Sequence, residues 1–255
     1  MAVVNLKSVD LALFALWCFL VAFAGGLVGL VLGNIRLPAT LLVASSTAAG
    51  GGANLAISAI AALTAATVHI RHGRINWRLV AWMAPPSVVG AVAGGVLAGA
   101  IPEWLLLGVI AAVLIQSAIE LLRNPPKPSG GDGGELDVRA AVLSGAVIGL
   151  LGGLVGLILG SLRMPALLRW VGEVPQRAVG TNVTVGVFVG VAGSLAHLPN
   201  AAPDLGVIAA GGAASIPGAL LGSRLTGRLS EAALIKAIAV VLLIAAAGCI
   251  VQALT

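Results

Sequence analysis

The sequence predicts an all-α polytopic membrane protein built from one unit used twice, and three observations carry that reading. Only 9% of the 255 residues are charged and 59% are hydrophobic, whereas about a quarter of an ordinary soluble domain is charged. Apolar runs such as Leu11 to Leu32 and Ala232 to Val251 can each cross ~30 Å of hydrocarbon at 1.5 Å per residue. Finally, the stretch Gly25-Gly26-Leu27-Val28-Gly29-Leu30-Val31-Leu32-Gly33, followed by Arg36 and Pro38, returns as Gly152-Gly153-Leu154-Val155-Gly156-Leu157-Ile158-Leu159-Gly160, followed by Arg163 and Pro165. The expected architecture is two pseudo-symmetric repeats, residues 11–123 and 138–251, joined by a linker at 124–137. Each repeat has four full spans plus a short broken segment, and the second is expected to be inverted relative to the first.

Taken in order, the first span runs from about Leu11 to Gly33. Glycines at every fourth position give it a smooth face for close helix contact, so the first helices of the two repeats are expected to pack together. After Pro38 comes a short, half-polar segment containing Ser45, Ser46 and Thr47, stopped by Gly50-Gly51-Gly52. Consecutive glycines at membrane depth leave backbone amides for a cavity or ligand, and Asn54 suits the N-cap of the helix that follows. The loop from His69 to Arg78 is the most basic in the chain, with Trp77 and Trp82 as interface anchors. A span from Leu79 to Ala100 contains Pro85-Pro86 and the small residues Gly90, Gly94 and Ala98. The next span ends near Leu122, where Glu120 and Arg123 form a snorkelling pair. The linker, rich in Pro, Gly and charge, is expected to be cytoplasmic and mobile. Beyond it Asn182 matches Asn54, His197 matches His69 and Glu231 matches Glu103. Cys18 and Cys249 lie within spans as small core residues.

Net charge is +5, yet the basic residues are scattered singly between spans, so nucleic acid is excluded as a partner. Four passes per repeat would divide Lys and Arg evenly across the membrane. Five passes leave only Lys7, Arg163 and Arg169 opposite the rest, which satisfies the positive-inside tendency and makes the repeats inverted.

Few polar residues lie at membrane depth. Arg36 and Arg163 hold identical places in the two repeats. Asn54, with Gly52 and Ala53 before it, and Gly180-Thr181-Asn182 follow glycine breaks, where helix N-termini favour an anion. Ser46 and Thr47 are candidates to line the path. His69, His197 and Glu120 are weaker candidates for proton coupling. No Asp lies in mid-span, whereas cation pumps require an intramembrane carboxylate. No catalytic triad, metal-ligand set or phosphate loop appears, so neither an enzyme nor a cofactor or metal is expected. Donors without acceptors suit a small organic or inorganic anion, and replacing Asn54 and Asn182 by Leu is expected to abolish flux while sparing the fold. Membrane lipid and a second copy of the chain are the other candidate partners.

At these residues the chain resembles the sulfite exporter TauE/SafE family, also called the toluene sulfonate uptake permeases. The second copy carries the resemblance from Gly152-Gly153 through Pro165, then Arg177-Ala178-Val179-Gly180-Thr181-Asn182 and His197. The first copy carries it from His69 to Gly73-Arg74-Ile75-Asn76-Trp77-Arg78, with Ala49-Gly50-Gly51-Gly52-Ala53-Asn54 a looser match. The resemblance implies a bacterial cytoplasmic-membrane carrier exporting sulfite or an organosulfonate. The alternative is a non-transporting scaffold for a sulfur-metabolism enzyme, which would gain nothing from polar breaks at membrane depth.

Overall fold

A computed structural model describes residues 8–97, 101–125, 137–155, 157–197 and 204–254. The described residues form ten helices: α1 (Ser8–Val28), α2 (Gly33–Val43), α3 (Thr47–Arg71), α4 (Trp77–Val96), α5 (Glu103–Arg123), α6 (Val138–Val155), α7 (Gly160–Arg169), α8 (Pro175–His197), α9 (Leu205–Thr226) and α10 (Glu231–Leu254). Eight are long and apolar enough to span a membrane; α2 and α7 are the short ones. The expected mobility of the linker falls on residues 126–136, which lie outside the described set.

The repeated motif proves to be a helix stop that acts earlier than its sequence suggests. α1 ends at Val28 because Gly29 takes the left-handed backbone conformation (φ 70°), which only glycine adopts cheaply. The Leu30 amide then donates back to Gly25 O at 2.9 Å, the closing bond of a Schellman turn. Leu157 N donates to Gly152 O at 2.9 Å in the same way. The span expected to reach Gly33 is therefore two helices, and Arg36 and Pro38 lie inside α2 instead of ending α1. Pro38 lacks the N–H that would pair with Asn34 O, and the Gln252 side chain of α10 donates to that carbonyl at 2.5 Å.

Glycines set the long contacts, but between other partners than expected. α1 packs against α9 and α6 against α4; the first helices of the two halves are not a pair. Cβ atoms added at Gly218 and Gly222 would meet the Phe19 and Phe23 carbonyl oxygens at 2.3 and 2.1 Å, and at Gly90 and Gly94 those of Ala146 and Leu150 at 2.4 and 2.1 Å. In both pairs the residue numbers rise together, so the helices run in the same sense. α3 and α8 run antiparallel at the centre, where Gly193 faces Leu55, Gly190 faces Ala59 and Gly180 faces His69. α5 lies along α10, their fully buried Ile110, Leu114, Leu234 and Leu242 continuing the core.

One end of the bundle gathers the loop after α3, the end of α5, the start of α8 and the end of α9. There Arg169 pairs with Glu120 at 2.5 Å and donates to the carbonyls of Glu120 and Asn124. This corrects two expectations: Glu120 pairs with Arg169 instead of Arg123, and Arg169 shares the end of Arg123 instead of lying opposite. The other end carries the turn after α2, where Ser45 N donates to Asp204 Oδ2 at 3.2 Å.

Candidate functional site

The two short helices begin inside the protein, and their starts meet. A Cβ on Gly160, the first residue of α7, would lie 3.1 Å from the Val31 amide just before α2. Neither helix has a side-chain N-cap: Leu32 and Leu159 occupy those positions. The first turn of each therefore presents amides free of side-chain caps, together with the positive end of its dipole.

One turn into each helix sits a buried arginine. Arg36 is 2% exposed and Arg163 1%. Arg36 Nε donates to Asn54 Oδ1 at 3.0 Å, and its Nη2 donates to Asn54 O at 2.9 Å and to the Ser58 hydroxyl. Arg163 Nη1 donates to Asn182 Oδ1 at 3.2 Å, and its buried Nε has no partner. Among the described residues no carboxylate pairs with either guanidinium. Arginine keeps its charge even when buried, so the centre holds two positive charges with only neutral protein partners.

The asparagines hold this arrangement in place. Asn54 Nδ2 donates to Gly33 O at 3.0 Å. Asn182 Nδ2 donates to Gly160 O at 2.9 Å and across to Gly29 O at 2.7 Å, tying the two breaks together. Neither residue caps a helix, which corrects the expectation: α3 starts at Thr47, its N-cap Ser46 accepting from Ala49 N, and runs unbroken through Gly50-Gly51-Gly52. α8 likewise starts at Pro175 and carries Gly180 in its interior. The helix N-termini at the centre belong to α2 and α7.

Other candidates lie apart. Ala53 is buried in a small apolar cluster with Phe14, Cys18 and Ile57. Gly52 is half-buried on α3, and Ser46 is exposed at the helix start. The side chains of Thr47 and His197 lie outside the described set. Thr181 faces the loop after α3, its Oγ1 accepting from Asn76 N at 3.0 Å; Asn76 Nδ2 in turn donates to Glu173 Oε2 at 2.6 Å. Gly180 admits the Arg74 carbonyl, 2.0 Å from any added Cβ. The Arg74 guanidinium reaches Ser223 O at 3.3 Å, and burial pulls it below the usual arginine range. His69 is fully buried beside this loop with neither ring nitrogen paired. Sequence reasoning missed Ser58, although it stands one helical turn after Asn54 on the same face, and it missed the Asn76–Glu173–Thr181 lock.

Arg36 and Ser58 border a cavity of ≈ 20 Å³ between α1, α3 and the break before α2. That volume holds about one water, less than an anion with three or four oxygens requires. In this conformation both guanidiniums are almost fully buried.

A family model described as Sulfite exporter TauE/SafE matches residues 14–249. No curated protein and no solved structure matches the chain.

Proposed function

The chain belongs to the TauE/SafE sulfite exporter family of membrane transporters, and from that premise we propose that it exports a small sulfur oxyanion, sulfite or an organosulfonate, across the bacterial cytoplasmic membrane by alternating access. The observation that carries the proposal is a centre with two buried guanidiniums and, among the described residues, no carboxylate partner. A buried charge without a counter-ion is costly, and a passing anion supplies one. The facing starts of α2 and α7 add amide donors, as discontinuous helices do around anionic groups in other carriers. We take the two halves, 11–123 and 138–251, as repeats of inverted orientation. The antiparallel course of α3 and α8, which hold equivalent places in the halves, supports this. The basic end of the bundle, with Arg71, Arg78, Arg123, Arg169 and Arg177, is then cytoplasmic.

The driving force needs no dedicated carboxylate. An inside-negative potential favours exit of a monoanion by ~2.3 kcal/mol per 100 mV, a gradient of about fifty-fold at equilibrium. The test is efflux from proteoliposomes loaded with sulfite or methanesulfonate. Efflux should rise with an imposed potential and persist when the pH gradient is collapsed. Efflux that vanishes with the pH gradient at clamped potential would sink the uniport reading and move attention to His69, whose unpaired buried ring is the specific observation favouring proton coupling.

A further inference from the structure

Arg36 and Arg163 occupy equivalent positions, but their surroundings differ at one place. Ser58 follows Asn54 by four residues; Gly186 follows Asn182 by four. In the first half the Ser58 hydroxyl accepts from Arg36, so Arg36 spends three hydrogen bonds on α3: to the Asn54 side chain, the Asn54 carbonyl and Ser58. In the second half no hydroxyl exists at that place. Arg163 makes its one bond to Asn182 Oδ1, and its Nε is buried without a partner. A Cβ on Gly186 would meet only Val31 Cγ2, at 2.7 Å.

We propose that the two arginines divide the work, Arg36 being a strut that fixes α2 to α3 and Arg163 being the charge that meets the anion. This rests on the transport reading above. An orphaned donor on a buried cation is expensive to keep, and among the described residues α8 supplies Arg163 with no partner beyond Asn182 Oδ1. An oxyanion brings several acceptors at once and suits a guanidinium with free N–H groups. Arg36 has few such groups left, and withdrawing them would release α2 from α3. The pseudo-symmetric pair is thus broken by one missing hydroxyl: the first half is built for rigidity and the second for binding.

The experiment uses the full chain purified in detergent and the same protein in proteoliposomes, with sulfite and methanesulfonate as probes. In Arg163→Gln the melting temperature without anion should equal or exceed wild type, since an unpaired buried charge has gone. The anion-dependent rise in melting temperature should disappear, and the KM for efflux should rise at least tenfold. In Arg36→Gln the melting temperature should fall and the maximal rate with it, while KM stays within about twofold. Should Arg36→Gln not survive purification, Ser58→Ala reads the same strut more gently, with a lower melting temperature and unchanged KM. Placing a hydroxyl with Gly186→Ser in a Val31→Ala background should raise KM without lowering the melting temperature. Equal rises in KM for Arg36→Gln and Arg163→Gln, or a rise confined to the Arg36 or Ser58 variants, overturn the division of labour and leave the anion site standing. A wild-type protein that neither moves nor is stabilised by either probe overturns the transport reading and this inference with it.

Discussion

Asn182 uses every polar atom of its side chain: two donors hold the carbonyls of Gly29 and Gly160, and the oxygen receives Arg163. Replacing it by Leu leaves three buried groups without these partners, at about 1–3 kcal/mol each. Asn182→Leu is therefore expected to lower the melting temperature markedly, measured by thermal unfolding in detergent, and not merely to silence flux in a sound fold. A wild-type melting temperature in this variant would contradict the tie. At Gly29, φ of 70° combines with a Cβ position 2.6 Å from Val179 Cα. Gly29→Ala should cost more than ~1 kcal/mol and reduce the yield of folded protein. The important residue types were legible from sequence, because polar groups at membrane depth are few and each needs a reason. Their roles were less legible. Gly50-Gly51-Gly52 looked like a break, yet in an apolar medium a helix satisfies its own backbone and tolerates glycine. The break falls instead where Gly29 permits a turn and Asn182, distant in sequence, receives the freed carbonyl.

For the short helices, the informative bond is the one from Gln252 of α10 to Asn34 O, the carbonyl that Pro38 cannot serve. Gln252→Leu should destabilise the wild type by about 1 kcal/mol. It should cost less in a Pro38→Ala background, where the helix recovers its own amide. A double-mutant cycle read by thermal unfolding tests this, and strict additivity would rule it out. The sequence announced both short segments through their prolines but started them too late, since a proline after the first turn removes one hydrogen bond without preventing the helix. It also announced close contacts through glycine, yet could not name the partners. Small-residue faces occur on α1, α4, α6 and α9 alike, and only the three-dimensional arrangement selects α1 with α9 and α4 with α6.

For the molecule as a whole, the eight long apolar helices were readable from run length alone, and the expectation of inversion came from the uneven distribution of Lys and Arg. Single cysteines can test that orientation. Ser45, after α2, and Trp170, after α7, are both exposed, and native Cys18 and Cys249 are buried. Ser45→Cys should react with an impermeant maleimide only from outside and Trp170→Cys only from the cytoplasm; labelling from the same side would exclude inverted repeats. The crossed pairing of α1 with α9 also bears on how the protein is made. α1 leaves the ribosome well before α9, the helix that receives it. At about 5–20 residues per second, its contact surface waits roughly ten to forty seconds for a partner. A nascent chain halted at the linker therefore holds α1, α3, α4 and α5 without their main partners α9, α8, α6 and α10, with no finished half to release.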